Sequence, residues 1–146
     1  MIKNEFLRHT LSTISYRFQK SVNFLDNDFG NYSAGKGSRT PKEIVNHMYQ
    51  VLRATRLFIE TERYKNDIPK KLDLNLEIDR FNSELKNIDN VLSEKDLEIN
   101  YSKRLLQGPF SDILTHIGQI SMLSGLNNNP IKGEDFFSAN IKTGIL

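Results

Sequence analysis

The chain contains no cysteine. That excludes disulfides, thiolate zinc sites and cysteine nucleophiles, and it fits a reducing compartment. Long apolar runs are also missing. No stretch approaches the roughly 18 apolar residues that a membrane helix needs, so no membrane span is expected. Met1 to Thr10 carries Lys3, Glu5 and Arg8 and has no apolar core, so no secretory signal is read there and a cytoplasmic protein is the default expectation. There is no strong excess of either charge: the net charge is +2, and the basic residues are scattered. A nucleic-acid binder would show a basic stripe with interleaved aromatics, and none is present. The basic cluster from Lys65 to Lys71 falls in a linker and reads as a solvated loop. Histidine is scarce too, with only His9, His47 and His116.

What is present is ordinary for a folded domain. With 146 residues, 26% charged and 38% hydrophobic, the chain is read as one domain spanning 1–146, large enough for a real core. Leu7, Leu11, Ile14, Phe18, Val22 and Leu25 recur at 4-3-4-4-3 spacing. That stripe predicts a first helix from Ile2 to about Asp26. His9 lies about 200° from Leu7 at roughly 100° per residue, off the stripe, and reads as a surface histidine.

Residues 27–39 are rich in Gly, Ser and Asn and read as a loop. Gly30 to Lys36 resembles the start of a phosphate-binding loop. The next residue is Gly37, where Ser or Thr should bind magnesium, and a helix precedes the segment instead of a strand. A flexible connection is the better reading.

Thr40-Pro41-Lys42-Glu43 predicts a sharp helix start, a capping box with proline at the first helical position. The Thr40 side chain is expected to accept from the Glu43 amide, and Glu43 to reach back. The helix should run to about Glu62, with Ile44, His47/Met48, Val51/Leu52, Thr55 and Phe58/Ile59 facing inward. A third helix is expected over Leu76 to Leu92, on Ile78, Phe81, Leu85, Ile88 and Leu92. Residues 93–101 either extend it or form a loop. A fourth helix is expected from about Pro109 to Leu126, with Pro109 in its first turn and a possible leading turn at Leu105. Residues 127–146 are expected to form a partly ordered tail with one short helical turn. Phe136, Phe137 and Ile141 would anchor it as a lid or wall for a site at the start of the fourth helix.

Four amphipathic helices without convincing strands predict an all-α, four-helix bundle. The second helix should be about 30 Å long. A 12-residue linker after it spans up to roughly 40 Å, so helices two and three can run parallel, and loop length alone does not choose.

Asp112 and His116 lie four residues apart, on one face of the fourth helix and one turn from each other. Carboxylate and imidazole both ligate divalent ions. His47, on the inward face of the second helix, is the candidate third ligand. Two plainer readings stand beside this one. His47 can be a hydrogen-bonded core histidine, and Asp112, His116 and Gln119 can form a half-exposed polar seam.

With these residues in view, the chain resembles the DinB-like superfamily of four-helix metalloproteins along essentially its whole length. Residues 40–48 resemble the family's capped second helix, which leads to a metal-binding histidine. Residues 114–120 resemble its helix-four segment, in which a histidine precedes a Gly-Gln pair. Where many members carry a histidine four residues before that one, this chain has Asp112. The resemblance implies a divalent ion held by His47, Asp112 and His116 in a cleft at the bundle's end. Two imidazoles and a carboxylate suit zinc, nickel, iron or manganese. Gln119, one turn beyond His116, is a candidate to orient a ligand from the next shell outward.

The resemblance further implies a metal-dependent transferase or hydrolase acting on a small molecule, with thiol-dependent chemistry as in better-known relatives. The alternatives are a bundle that binds metal or a small ligand without turnover, such as a stress-response accessory, and a homodimeric scaffold with a degenerate site. A scaffold would hold the three ligands too far apart to share an ion. Ser111 or Thr115 lining the cleft would favour a polar substrate.

Overall fold

A computed structural model describes residues 2–23 and 26–146. Four long helical segments form a helical bundle, and no strand occurs among the described residues. They are α1 (Glu5–Val22), α2 (Pro41–Thr61), α3 (Leu74–Glu94) and a fourth segment in three parts. That last segment consists of α4 (Ile99–Leu105), a π-helical turn (Leu106–Phe110) and α5 (Ser111–Leu126). No described helix is long and apolar enough to cross a membrane.

The apolar stripes are the core. Leu7, Leu11, Ile14 and Phe18 of α1 are buried, as are Ile44, Met48, Leu52 and Ile59 of α2. Phe81, Leu85, Ile88 and Leu92 join them from α3, and Phe110, Ile113, Ile117 and Ile120 from the fourth segment. Leu25, expected at the end of the first stripe, lies outside the described residues. Phe18 and Phe81 meet edge to face, with ring centroids 4.7 Å apart.

α1 begins at Glu5, after the expected Ile2, because Asn4 has another role. It sits in the left-handed region at φ 50°, and its amide donates to the Leu92 and Lys95 carbonyls at 2.8 and 2.7 Å. It thereby satisfies acceptors at the end of α3 that have no partner within that helix. The capping box also differs from expectation. The Thr40 hydroxyl donates to the Glu43 carboxylate at 2.9 Å, and no side-chain bond to a helix amide forms. Pro41 does open α2 as its first residue.

α1 and α2 each pack against both α3 and α5. The pairings fix direction. Asn46 meets Glu77, Arg56 meets Glu84 and the Ile59 carbonyl meets Lys95, so α2 and α3 run parallel. The linker between them returns along the bundle and is held by Arg53 to the Asp67 carbonyl at 2.7 Å and Asn46 to the Lys70 carbonyl at 3.3 Å. Three carboxylates are buried on α3, each against an arginine. Glu77 pairs with Arg80, Glu84 with Arg56, and Asp89 with Arg8 at 2.8 Å.

The stretch that resembles a phosphate-binding loop has a packing role at its first glycine. A Cβ on Gly30 would stand 2.8 Å from the Leu74 Cβ, so the 3-10 turn Asn27–Asn31 approaches the start of α3 as only glycine allows. The tail does not cover the start of the fourth segment. It lies along α1, where Glu134 accepts from Tyr16, the Gly144 amide donates to Ser12 at 3.0 Å, and Arg17 stacks on Phe136 at 4.3 Å. Its short 3-10 turn is Phe136–Ser138, and Phe137 is 98% exposed, so it anchors nothing.

Candidate metal centre

His47 comes from the second turn of α2, behind Pro41 and the buried Ile44. Its side chain is 28% exposed. Asp112 and His116 come from the first two turns of α5, and His116 is buried while Asp112 is partly open. The antiparallel packing of α2 on α5 places the three together. One carboxylate oxygen, Asp112 Oδ2, lies 3.5 Å from His47 Nε2 and 3.4 Å from His116 Nε2. The imidazole rings are 4.8 Å apart, centroid to centroid, and nearly perpendicular at 83°.

One donor atom from each residue falls within 4.8 Å of the others, so the group could hold a metal ion. Two ligand atoms about 2.0–2.1 Å from a tetrahedral ion stand roughly 3.4 Å apart. Both histidine–carboxylate separations are close to that value. His47 meets the Asp112 carboxylate, and Asp112 and Gln119 are open to solvent while His116 is buried, so the three polar side chains of α5 also form a half-exposed seam against α2.

The protonation chemistry sharpens the picture. His116 Nδ1 is 2.8 Å from Gln119 Oε1. In the tautomer in which Nδ1 donates to that carboxamide oxygen, Nε2 presents its lone pair. That lone pair faces the Asp112 carboxylate at 3.4 Å. His47 has a lowered pKa. Burial is the main cause, the charges of Arg39 and His116 add to it, and Asp112 opposes it. A neutral imidazole is the form that ligates a metal.

Arg39, at the end of the loop before α2, carries no sequence signal for the site, since no spacing rule links it to the two histidines. It borders a recess beside His47 and another beside His116 and Gln119. A larger cleft of about 790 Å³ lies between α2 and the fourth segment and is bounded at one end by Asp112. Ser111 and Thr115 both line it, the outcome that favours polar groups on whatever enters. Their hydroxyls donate within the helix, to the Leu106 carbonyl at 2.6 Å and the Ser111 carbonyl at 3.0 Å, which leaves their oxygens free to accept. No tail residue contributes to this cleft. His9 is exposed, 2.9 Å from the Thr143 hydroxyl, and takes no part in the site.

Comparison of the chain with protein-family models, with curated proteins and with solved structures finds no match.

Proposed function

We propose that this chain is a divalent-metal-binding bundle of the DinB-like kind, acting as a metal-dependent transferase or hydrolase on a small molecule. The observation that carries the proposal is the shared carboxylate oxygen, with an imidazole nitrogen on each side at 3.5 and 3.4 Å. His47, Asp112 and His116 are the ligands, and zinc, nickel, iron and manganese are the ions their chemistry suits. Gln119 holds His116 in the tautomer that presents Nε2. Three protein ligands leave coordination positions for water or substrate, the pattern of catalytic sites. A divalent ion there supplies Lewis acidity that lowers the pKa of a water or thiol, the thiol route being the one the family resemblance suggests. The residues of the chain do the rest: the carboxylate offsets part of the charge, Gln119 orients, and the adjoining cleft receives the substrate.

Elemental analysis of untagged protein, purified without chelator, tests the reading beside the His116→Ala variant. One ion per chain in the parent, largely lost in the variant, supports it. No ion in either, even after incubation with zinc, nickel and manganese, refutes it. Assays of thiol transfer and hydrolysis on loaded protein then separate an enzyme from a binder that does not turn over.

A further inference from the structure

The cleft beside Asp112 has properties of its own. Its volume, about 790 Å³, lies in the range of small-molecule sites, roughly 300–1,000 Å³. Its walls are largely apolar and aromatic. Phe58 of α2 and Tyr101 of α4 face each other with ring centroids 6.3 Å apart, and Phe58 and Tyr64 are 37% and 72% exposed. Burial, with the charge of Glu62 second, raises the Tyr101 pKa, so its phenol stays a donor. The cleft carries one cation, Arg104. Arg104 is exposed and, like Arg17, Arg39, Arg53 and Arg63, has no ion pair among the described residues, so its guanidinium is open to a ligand in the cleft. Arg104 and Asp112 lie eight residues apart on the same helical segment, about 12 Å at 1.5 Å per residue.

We propose that this cleft binds a small aromatic anion, its ring against Phe58 and Tyr101 and its negative group on Arg104. A body about 10 Å long then presents its far end at Asp112. That this far end is the reacting end rests on the metal-centre reading. The ligand class rests only on the cleft. Guanidinium pairs with carboxylate, sulfonate or phosphate in two-pronged fashion and stacks on aromatic faces, which an ammonium does not do.

Two dyes that differ by a single sulfonate group test this. One is 8-anilinonaphthalene-1-sulfonate and the other is N-phenyl-1-naphthylamine, the same ring system without the sulfonate. Both are titrated by fluorescence into full-length, chelator-treated protein. The sulfonate should bind at one site per chain. Arg104→Gln should weaken it at least tenfold and leave the neutral dye within twofold. Gly108→Leu should weaken both at least tenfold. Gly108 lines the cleft, and a Cβ there meets nothing within 4 Å, so a larger side chain at the cleft wall is accommodated with the backbone in place. Circular dichroism and thermal unfolding should match the parent for both variants.

Equal loss of both dyes in Arg104→Gln overturns the anionic class. Unchanged binding in Gly108→Leu overturns the site. Dye binding is expected to survive in His116→Ala, so the two proposals fail separately. A parent with no metal but the expected dye pattern refutes the metal centre alone. A metal-loaded parent indifferent to Gly108→Leu refutes the cleft alone.

Discussion

Asp112→Asn isolates the carboxylate with the least disturbance to the fold. The substitution keeps the side chain's shape, and the Asp112 side chain is 44% exposed, so packing is hardly affected. Without metal, the new amide can donate to His116 Nε2, where the carboxylate oxygen stood 3.4 Å away. Apo stability should therefore match the parent to within about 1 kcal/mol. The difference should emerge only with metal. An ion at 100 times its Kd stabilises the native state by about 2.7 kcal/mol. For a chain of this size each kcal/mol moves Tm by about 2–4 °C, so the parent should gain roughly 5–10 °C. If losing the anionic ligand weakens binding about 100-fold, the same ion concentration gives RT ln 2, about 0.4 kcal/mol, and a gain of only about 1–2 °C. Scanning calorimetry on chelator-treated protein, with and without zinc, nickel or manganese, reads both values. A variant that gains as much as the parent shows that Asp112 is not a ligand. A parent that gains nothing with any of the three ions sinks the site altogether.

Gln119→Leu should lower metal affinity about 10–100-fold in a competition titration, because Nδ1 of His116 loses the acceptor that fixes its tautomer. Metal retention should fall on acidification as protons displace the ion from imidazole. His47 has a pKa below the usual histidine value of about 6.5, so it resists protonation to lower pH than an ordinary imidazole. Burial is the main cause and Arg39 the second, so Arg39→Ala should move the retention midpoint toward higher pH, read by metal content across about pH 5 to 8. A midpoint that moves down or stays put contradicts the electrostatic assignment. Phe81→Ala empties a fully buried position against Phe18 and should cost about 3–5 kcal/mol by urea unfolding, with the slope unchanged. Gly30→Ala should cost about 1–3 kcal/mol by the same measurement, since its methyl group would meet the Leu74 Cβ at 2.8 Å. A neutral result there would return that glycine to the role of a flexible loop residue.

The helices are legible because their apolar stripes are local: Leu7, Leu11, Ile14 and Phe18 declare a face without reference to the rest of the chain. The buried carboxylates of α3 are not. Glu77, Glu84 and Asp89 read as surface residues, and three arginines at distances in sequence from 3 to 81 residues make their burial tolerable. Asp112 and His116 are legible as a pair by helical spacing, and His47 by its inward position. That the three share a point depends on α2 packing antiparallel to α5, which linker length leaves open. The tail departs from expectation because an aromatic side chain in a polar segment need not be an anchor. Phe136 does find Tyr16 and Arg17, but Phe137 points to solvent, and the tail's path along α1 is set by polar contacts such as Tyr16 to Glu134.

Pro109 is the most instructive departure. Gly108-Pro109 looks like a helix start, since proline suits the first turn and lacks the N–H that an interior position requires. The chain instead runs helical from Ile99 through Leu126 and widens to a π turn over Leu106–Phe110. There the Ser111 amide and hydroxyl both donate to the Leu106 carbonyl, five residues back. The wider turn relieves the clash between the proline ring and the preceding turn without ending the helix. It also rotates α5 relative to α4. In an unbroken α-helix, Arg104 and Asp112 would differ by about 80° at 100° per residue. A turn that absorbs one extra residue removes roughly 100° of that, leaving the two within about 20° of one line. The residue that reads as a boundary is thus the reason a cation on α4 and a carboxylate on α5 line the same cleft. The π turn itself, through Gln107, Gly108 and Pro109, forms part of the wall between them.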